Sequence, residues 1–137
     1  VIRGKVKNGE TRIIPKMLND EVEEYLTRND IVIVPVGTVE MHGGFPLDSE
    51  TVVSEAFALK MAEACDGLVL TGLPYFYAGA TASGRGTVQV SIQEGIRYLT
   101  GIAVKSFNCQ GFKKTDLYQC TWSGTYDSES DGKRFYG

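Results

Sequence analysis

Four side chains able to bind a metal crowd one short stretch of the chain. Glu40, His42, Asp48 and Glu50 lie within Gly37-Thr38-Val39-Glu40-Met41-His42-Gly43-Gly44-Phe45-Pro46-Leu47-Asp48-Ser49-Glu50-Thr51. Glu40 and His42 stand two apart, so in an extended segment both point to the same side. Asp48 and Glu50 repeat that spacing at the mouth of the next predicted helix. One imidazole with two or three carboxylates is a hard-to-borderline ligand set suited to Zn²⁺, Mn²⁺ or Fe²⁺. The same residues also admit a purely structural reading. Asp48 or Ser49 would cap a helix starting near Glu50, acids there are favoured by the helix dipole, and the chain's single histidine would be an ordinary packed or surface side chain.

The elements around this stretch decide what it can do. Ile31-Val32-Ile33-Val34-Pro35-Val36 runs directly into it, a continuous β-branched segment typical of a parallel strand covered on both faces. Loops at the carboxyl ends of such strands are where ligands bind in open α/β sheets. Upstream, Asp20 and Glu23 form a D-x-x-E pattern, and Leu18, Val22, Tyr25 and Leu26 share one face of a predicted helix over 19–28. Downstream, Thr51 to Cys65 is helical by pattern, with Val52, Ala56, Leu59 and Ala62 inward and Asp66-Gly67 as the stop. Leu68-Val69-Leu70 reads as a second strand and the alternation Thr87 to Ser91 as a third. Ile92 to Gln110 is a longer helix (Ile96, Leu99, Ala103 and Phe107 inward) with Gly111 just past its end. Strands alternating with helices predict an α/β fold, a three-layer αβα arrangement with a mostly parallel sheet. Between them, Tyr75, Tyr77 and the loop Ala78–Gly86 either line a substrate pocket or form a tolerated surface loop. Cys65 and Cys109 read as small buried hydrophobes.

Composition narrows the function classes. The 137 residues suit one domain, and 42% apolar with 23% charged residues is an ordinary globular balance. A net charge of −3 argues against a nucleic-acid-binding face. The sequence predicts no membrane span, and Val1-Ile2-Arg3-Gly4-Lys5 lacks a leader pattern. Three cysteines at unrelated spacings make neither a disulfide framework nor a zinc knuckle, so the expected setting is a reducing cytoplasm.

The stretch resembles the creatininase family, whose hallmark is a strand running into P-x-G-S/T-x-E-x-H-G, a short loop with L-P, and an acid followed by threonine. Here it stands as Pro35-Val36-Gly37-Thr38-Val39-Glu40-Met41-His42-Gly43, then Phe45-Pro46-Leu47, then Glu50-Thr51. The likeness continues through Pro74-Tyr75, Gly79, Gly86-Thr87-Val88 and Gln110-Gly111-Phe112-Lys113-Lys114, covering about residues 19–114. It implies a metal-dependent hydrolase that opens a small cyclic polar substrate, a cyclic amide or an inosose-type cyclic ketone, with a metal-activated hydroxide. Within the family, the Glu40-Met41-His42-Gly43 to Glu50-Thr51 variant resembles the ring-opening 3-dehydro-scyllo-inosose hydrolase-like branch of inositol breakdown. The resemblance implies two divalent ions per site in full-length members (Zn, Mn or Fe), with Glu40, His42 and Glu50 as ligands. Glu50 stands where the family has its bridging aspartate, and Asp48 is a rival for that role. It further implies homo-oligomers for full-length members; Tyr75 and Tyr77 stand as substrate contacts only on the pocket reading of their loop, and charge and composition argue against nucleic-acid and membrane partners.

The end of the chain departs from that pattern. Thr115 to Gly137 holds one leucine and no isoleucine, valine, methionine or alanine. No histidine follows the Gly111-Phe112-Lys113-Lys114 turn, where the family supplies one. Codon choices for Thr115 to Gly124 exist that, read one base later, give Gln-Ile-Tyr-Ile-Ser-Ala-His-Gly-Pro, a buried strand ending in His-Gly. The expectation is therefore a creatininase-like α/β domain over 1–114, the N-terminal half of a truncated fold, followed by an irregular, out-of-frame polar tail over 115–137. Such a chain would be an inactive remnant, or a non-catalytic α/β binding domain with at most one weak metal site.

Overall fold

The computed structural model describes residues 11–119. Its helices are α1 (Asn19–Leu26), α2 (Ser49–Cys65) and α3 (Ile92–Thr100), the last continuing as a wider π-helical coil over Gly101–Asn108. Its strands are β1 (Ile31–Val36), β2 (Leu68–Val69) and β3 (Lys114–Gln119), all parallel in the order β2-β1-β3. The β-branched run therefore forms the central strand. Val32 pairs with both Leu68 and Thr115, and the ladder to β3 ends at Val36 opposite Gln119.

Alternation along β1 divides the core into two. Val32, Val34 and Val36 pack with Tyr25 of α1, with Leu68, and with Leu99, Phe107 and Phe112. Ile33 faces the other way, onto Ala58, Leu59 and Ala62 of α2, with Ile13 and Val69. Helices on both faces of a parallel sheet make the expected three-layer αβα arrangement. Among the described residues, no helix is long and apolar enough to cross a membrane.

Helix α2 buries Leu59 and Ala62 of the predicted row but not Val52 and Ala56. Its inner row is Glu50, Ser54, Ala58 and Ala62, spaced by four and all buried, whereas Val52 is 55% exposed. Small side chains let the helix lie close to the sheet, and the Ser54 hydroxyl donates to the carbonyl of Val36 at 3.1 Å. The bulkier Val53, Phe57 and Met61 face outward. Cys65 and Cys109 are exposed rather than buried. At α1 the Asp20–Glu23 cap does not form. Glu21 instead reaches back to accept the backbone N–H of Leu18 at 2.6 Å.

Two further corrections concern strands. Thr87 to Ser91 stays outside the sheet, because its groups are engaged elsewhere. The N–H of Val88 donates to Val39 and that of Val90 to Phe76. The third strand is β3, so residues 115–119 are not an irregular tail. The strand forms from the sequence as it stands: Leu117 packs against the Tyr25 side of the core and Tyr118 against the α2 side, while backbone pairing with β1 needs no aliphatic side chain. The rest of the predicted tail, 120–137, lies outside the described residues.

Polar contacts tie the end of α2 to the segments flanking α1 and pin α1 to the start of β1. Asp66, the left-handed cap of α2 at φ 54°, holds Arg12 at 3.0 Å and Arg28 at 3.3 Å. Burial works to raise the Asp66 pKa, but the hydrogen bonds and charges of the two arginines outweigh it and hold the carboxyl below its usual value. The Tyr25 phenol donates to the carbonyl of Ile31 at 2.9 Å and accepts that residue's N–H at 3.2 Å, pinning the start of the central strand. Burial pushes the phenol up to about 12, against the lowering effect of the Ile31 hydrogen bond.

A Tyr25→Phe variant tests that pin. Losing the hydroxyl destabilises the chain by about 0.5–1.5 kcal/mol at neutral pH. The unfolded phenol ionises near 10 while the folded one holds its proton to about 12, so this contribution falls as pH rises through that window. Denaturant melts of both proteins from pH 8 to 12 should therefore show the wild-type advantage shrinking toward the alkaline end.

Candidate metal centre

The chain leaves β1 at Gly37, turns across the carboxyl end of the sheet and enters α2 at Ser49. The turn is pinned at several points: Gly37 N–H donates to Leu73 at 2.8 Å, Glu40 N–H to Leu47 at 2.9 Å, and Phe45 N–H to His42 at 3.1 Å. The Thr51 hydroxyl reaches back to the carbonyl of Thr38 at 3.3 Å. Gly37 is required by proximity, since a Cβ there would sit 2.4 Å from Thr51 Oγ1 and 2.5 Å from its Cα. That approach brings the first turn of α2 against the segment carrying Glu40.

The result is convergence of three of the four candidate side chains. Nε2 of His42 lies 3.2 Å from Glu40 Oε1 and 3.4 Å from Glu50 Oε1. One ligand atom from each of Glu40, His42 and Glu50 falls within 4.8 Å of the others. Both carboxylates are buried, at 6% and 4% exposure. Asp48 is exposed and outside this group. It occupies the N-cap of α2 without making a side-chain cap, one residue before the helix and off its inner row. The equal spacing of the two acid pairs hides this difference, which helix phase resolves.

The donor set fits a divalent cation. His42 Nε2 is buried and lacks a partner in hydrogen-bonding geometry, although two carboxylate oxygens stand close to it. An imidazole nitrogen and two carboxylate oxygens within 4.8 Å of one another are spaced as ligands of one cation would be. Three protein ligands with a further open position is the usual arrangement of catalytic zinc. Position in the first turn of α2 also favours the charge on Glu50 through the helix dipole.

Two residues that spacing had not singled out complete the surroundings. Thr38 Oγ1 donates to Glu50 Oε2 at 2.5 Å. The hydroxyl of Thr81 touches Glu40 Oε2 from the 3₁₀ turn Gly79–Thr81. Thr38 stands in the S/T position of the P-x-G-S/T-x-E pattern, so its place was readable. Thr81 arrives from 41 residues away, and no local signal marks it. The loop that brings it is held by Thr87, whose Oγ1 accepts the Met41 N–H at 3.0 Å. Tyr75 and Tyr77 are exposed. Tyr75 borders a shallow groove of about 300 Å³ with Leu73, Pro74, Val90, Glu94, Gly95 and Tyr98, which includes none of the three converging residues. Tyr77 packs beside Gly79, on the approach to Thr81.

A family model described as creatininase, creatinine amidohydrolase, matches residues 15–118. Among solved structures, a creatinine amidohydrolase (creatininase) is 23% identical with a TM-score of 0.67, covering 78% of this chain and 44% of that one. A creatininase described with Mn is 22% identical with a TM-score of 0.69, covering 80% and 45%. A mutant creatininase of Zn-Zn type gives the same 22%, 0.69, 80% and 45%. The chain thus spans under half the length of these structures. No curated protein matches it.

The close approach at Gly37 yields a direct expectation. Gly37→Ala must push α2 away from the 37–42 segment, and overpacking of this kind costs about 1–3 kcal/mol. Urea melts should register that loss, and calorimetric titration with Mn²⁺ should show weakened binding, because Glu50 moves with the helix.

Proposed function

Because the chain belongs to the creatininase family, we propose that it is a metal-dependent hydrolase whose cation is held by Glu40, His42 and Glu50. The observation that carries this reading is the meeting of two buried carboxylates and one imidazole at the carboxyl end of the central strand. A bound divalent cation of the Zn, Mn or Fe class supplies Lewis acidity and a water acidified toward neutral pH. The residues of this chain do the rest. Glu40 and Glu50 bring carboxylates that balance such an ion, and His42, whose carbonyl accepts the Phe45 N–H, supplies a ring nitrogen. The turn Gly79–Thr81 brings the Thr81 hydroxyl onto Glu40 Oε2. Two ions per site is the family arrangement, and a second ion needs donors beyond these three.

The substrate class is a small cyclic polar molecule, a cyclic amide or an inosose-type cyclic ketone. Tyr77 is the better placed of the two tyrosines to meet it, since it neighbours the loop that touches Glu40. Homo-oligomeric assembly belongs to the same reading, and the outward Val53, Phe57 and Met61 of α2 are apolar surface that a neighbour would cover. A cytoplasmic setting suits two exposed free thiols, Cys65 and Cys109.

The test begins with metal. The purified chain, stripped with chelator and dialysed against Mn²⁺ or Zn²⁺, should retain about one ion, and His42→Ala and Glu50→Gln should each lower affinity at least about tenfold. Ring opening of creatinine and of cyclic ketone sugars should then follow metal content. Equal metal uptake by the wild type and both variants would overturn the assignment. Uptake without turnover would favour the non-catalytic metal-binding alternative.

A further inference from the structure

The loop 78–87, Ala-Gly-Ala-Thr-Ala-Ser-Gly-Arg-Gly-Thr, lies along the segment that carries Glu40 and His42. Thr81 touches Glu40, the Thr87 hydroxyl accepts the Met41 N–H at 3.0 Å, and the Val88 N–H donates to Val39 at 2.8 Å. The second half of the loop is a tight turn. The Thr87 N–H donates to the carbonyl of Gly84 at 3.1 Å, and Gly86 takes a positive φ of 85° at the third position, as a type II turn requires. Arg85 therefore stands at the corner of that turn, exposed. The glycines on either side of it press against the same segment. A Cβ on Gly84 would lie 2.6 Å from Met41 Cβ, and one on Gly86 would lie 2.6 Å from Leu47 Cδ1. Arg85 is the loop's one charged residue. Arg12, Arg28, Lys60 and Lys114 are each paired with a carboxylate, whereas Arg85 enters no ion pair among the described residues. A guanidinium is thus held beside a site built from two acids and an imidazole, and it neutralises neither acid.

We propose that Arg85 is a specificity-determining residue that anchors the carboxylate released when the substrate ring opens. The proposal rests on the hydrolase reading above and names the group on the ring-opened molecule that the site recognises. Hydrolysis of a cyclic amide breaks the ring C–N bond: the carbonyl carbon takes the hydroxyl of water, the nitrogen takes the proton, and the new acid ionises near neutral pH. Opening a cyclic ketone breaks a C–C bond instead; the carbonyl carbon takes the hydroxyl, the other carbon the proton, and again one carboxylate results. Either ring enters without that charge and leaves with it. Glu40 and Glu50 repel an anion formed beside them, while a planar guanidinium offers it two parallel donors. At an exposed corner the side chain is free to follow the group as the ring opens, and the contact is open to screening by salt.

The experiment is calorimetric titration of the Mn²⁺-loaded full chain, as wild type, Arg85→Gln and Arg85→Lys, with two acid–amide pairs. The pairs are creatine with its primary amide, and gluconate with gluconamide; within each, only the carboxylate differs. Arg85→Gln should weaken both acids about three- to tenfold and leave the amides unchanged, with Arg85→Lys between the two. Raising the ionic strength toward 1 M, where the Debye length is about 3 Å, should erase most of the wild-type advantage. Direct binding of an acid to the ion is common to all three proteins and drops out of the comparison. Equal acid affinity in wild type and Arg85→Gln overturns the proposal, as does a loss that acid and amide share in proportion. A Mn²⁺-loaded wild type that binds none of the four probes overturns the substrate class on which the proposal rests, a result read from the wild type alone.

Discussion

Two carboxylates buried within a few ångströms of one another repel. At the separation seen between the ligand atoms of Glu40 and Glu50, up to 4.8 Å, the repulsion is about 3–4 kcal/mol for an effective dielectric near 20. Hydrogen bonds and a helix dipole are built around the pair. His42 stands beside both oxygens, the first turn of α2 directs its positive end at Glu50, and each carboxylate accepts a threonine hydroxyl. The close approach at Gly37, the small inner row of α2 and the turn at Phe45 are all means of holding these groups together. A core gains nothing from such an arrangement that leucines would not supply better.

The sequence made the platform legible because its signals were local. Six consecutive residues with branched side chains or proline announce a strand buried on both sides, and its alternation separates Val32, Val34 and Val36 from Ile33 as the packing requires. The Glu40–His42 spacing was equally readable, since an extended segment puts alternate residues on one side. Between Asp48 and Glu50 spacing alone could not choose. The choice depends on where α2 begins and which row it buries, and the polar Glu50 and Ser54 in that row disguise it as the outer face. A search for apolar periodicity therefore finds Leu59 and Ala62 but misses the start of the row at Glu50 and Ser54.

What could not be read locally was long-range pairing. Thr87 to Ser91 alternates like a strand, but alternation says only that a segment is extended; its backbone partners lie in Val39 and Phe76 instead of the sheet. The polar run from Lys114 looked unable to form a buried strand, yet β1 offered a full ladder edge, and six residues of backbone hydrogen bonding with Leu117 and Tyr118 turned to the two cores were sufficient. Thr81 was invisible for the same reason: its contact with Glu40 exists only once the loop has folded back.

The register of that ladder has a consequence in time. Ile31 pairs with Lys114, so the central strand obtains its second neighbour only after nearly all the described chain is present. Glu40, His42 and Glu50, by contrast, lie in one short connection whose closure entropy is small. In a chain emerging from the ribosome the converging side chains are available well before the sheet beneath them is complete, and nascent β1 carries an unpaired edge throughout that interval. A cation captured at that stage would act as a staple during synthesis, holding the start of α2 against the end of β1 while the remainder of the fold is still being made.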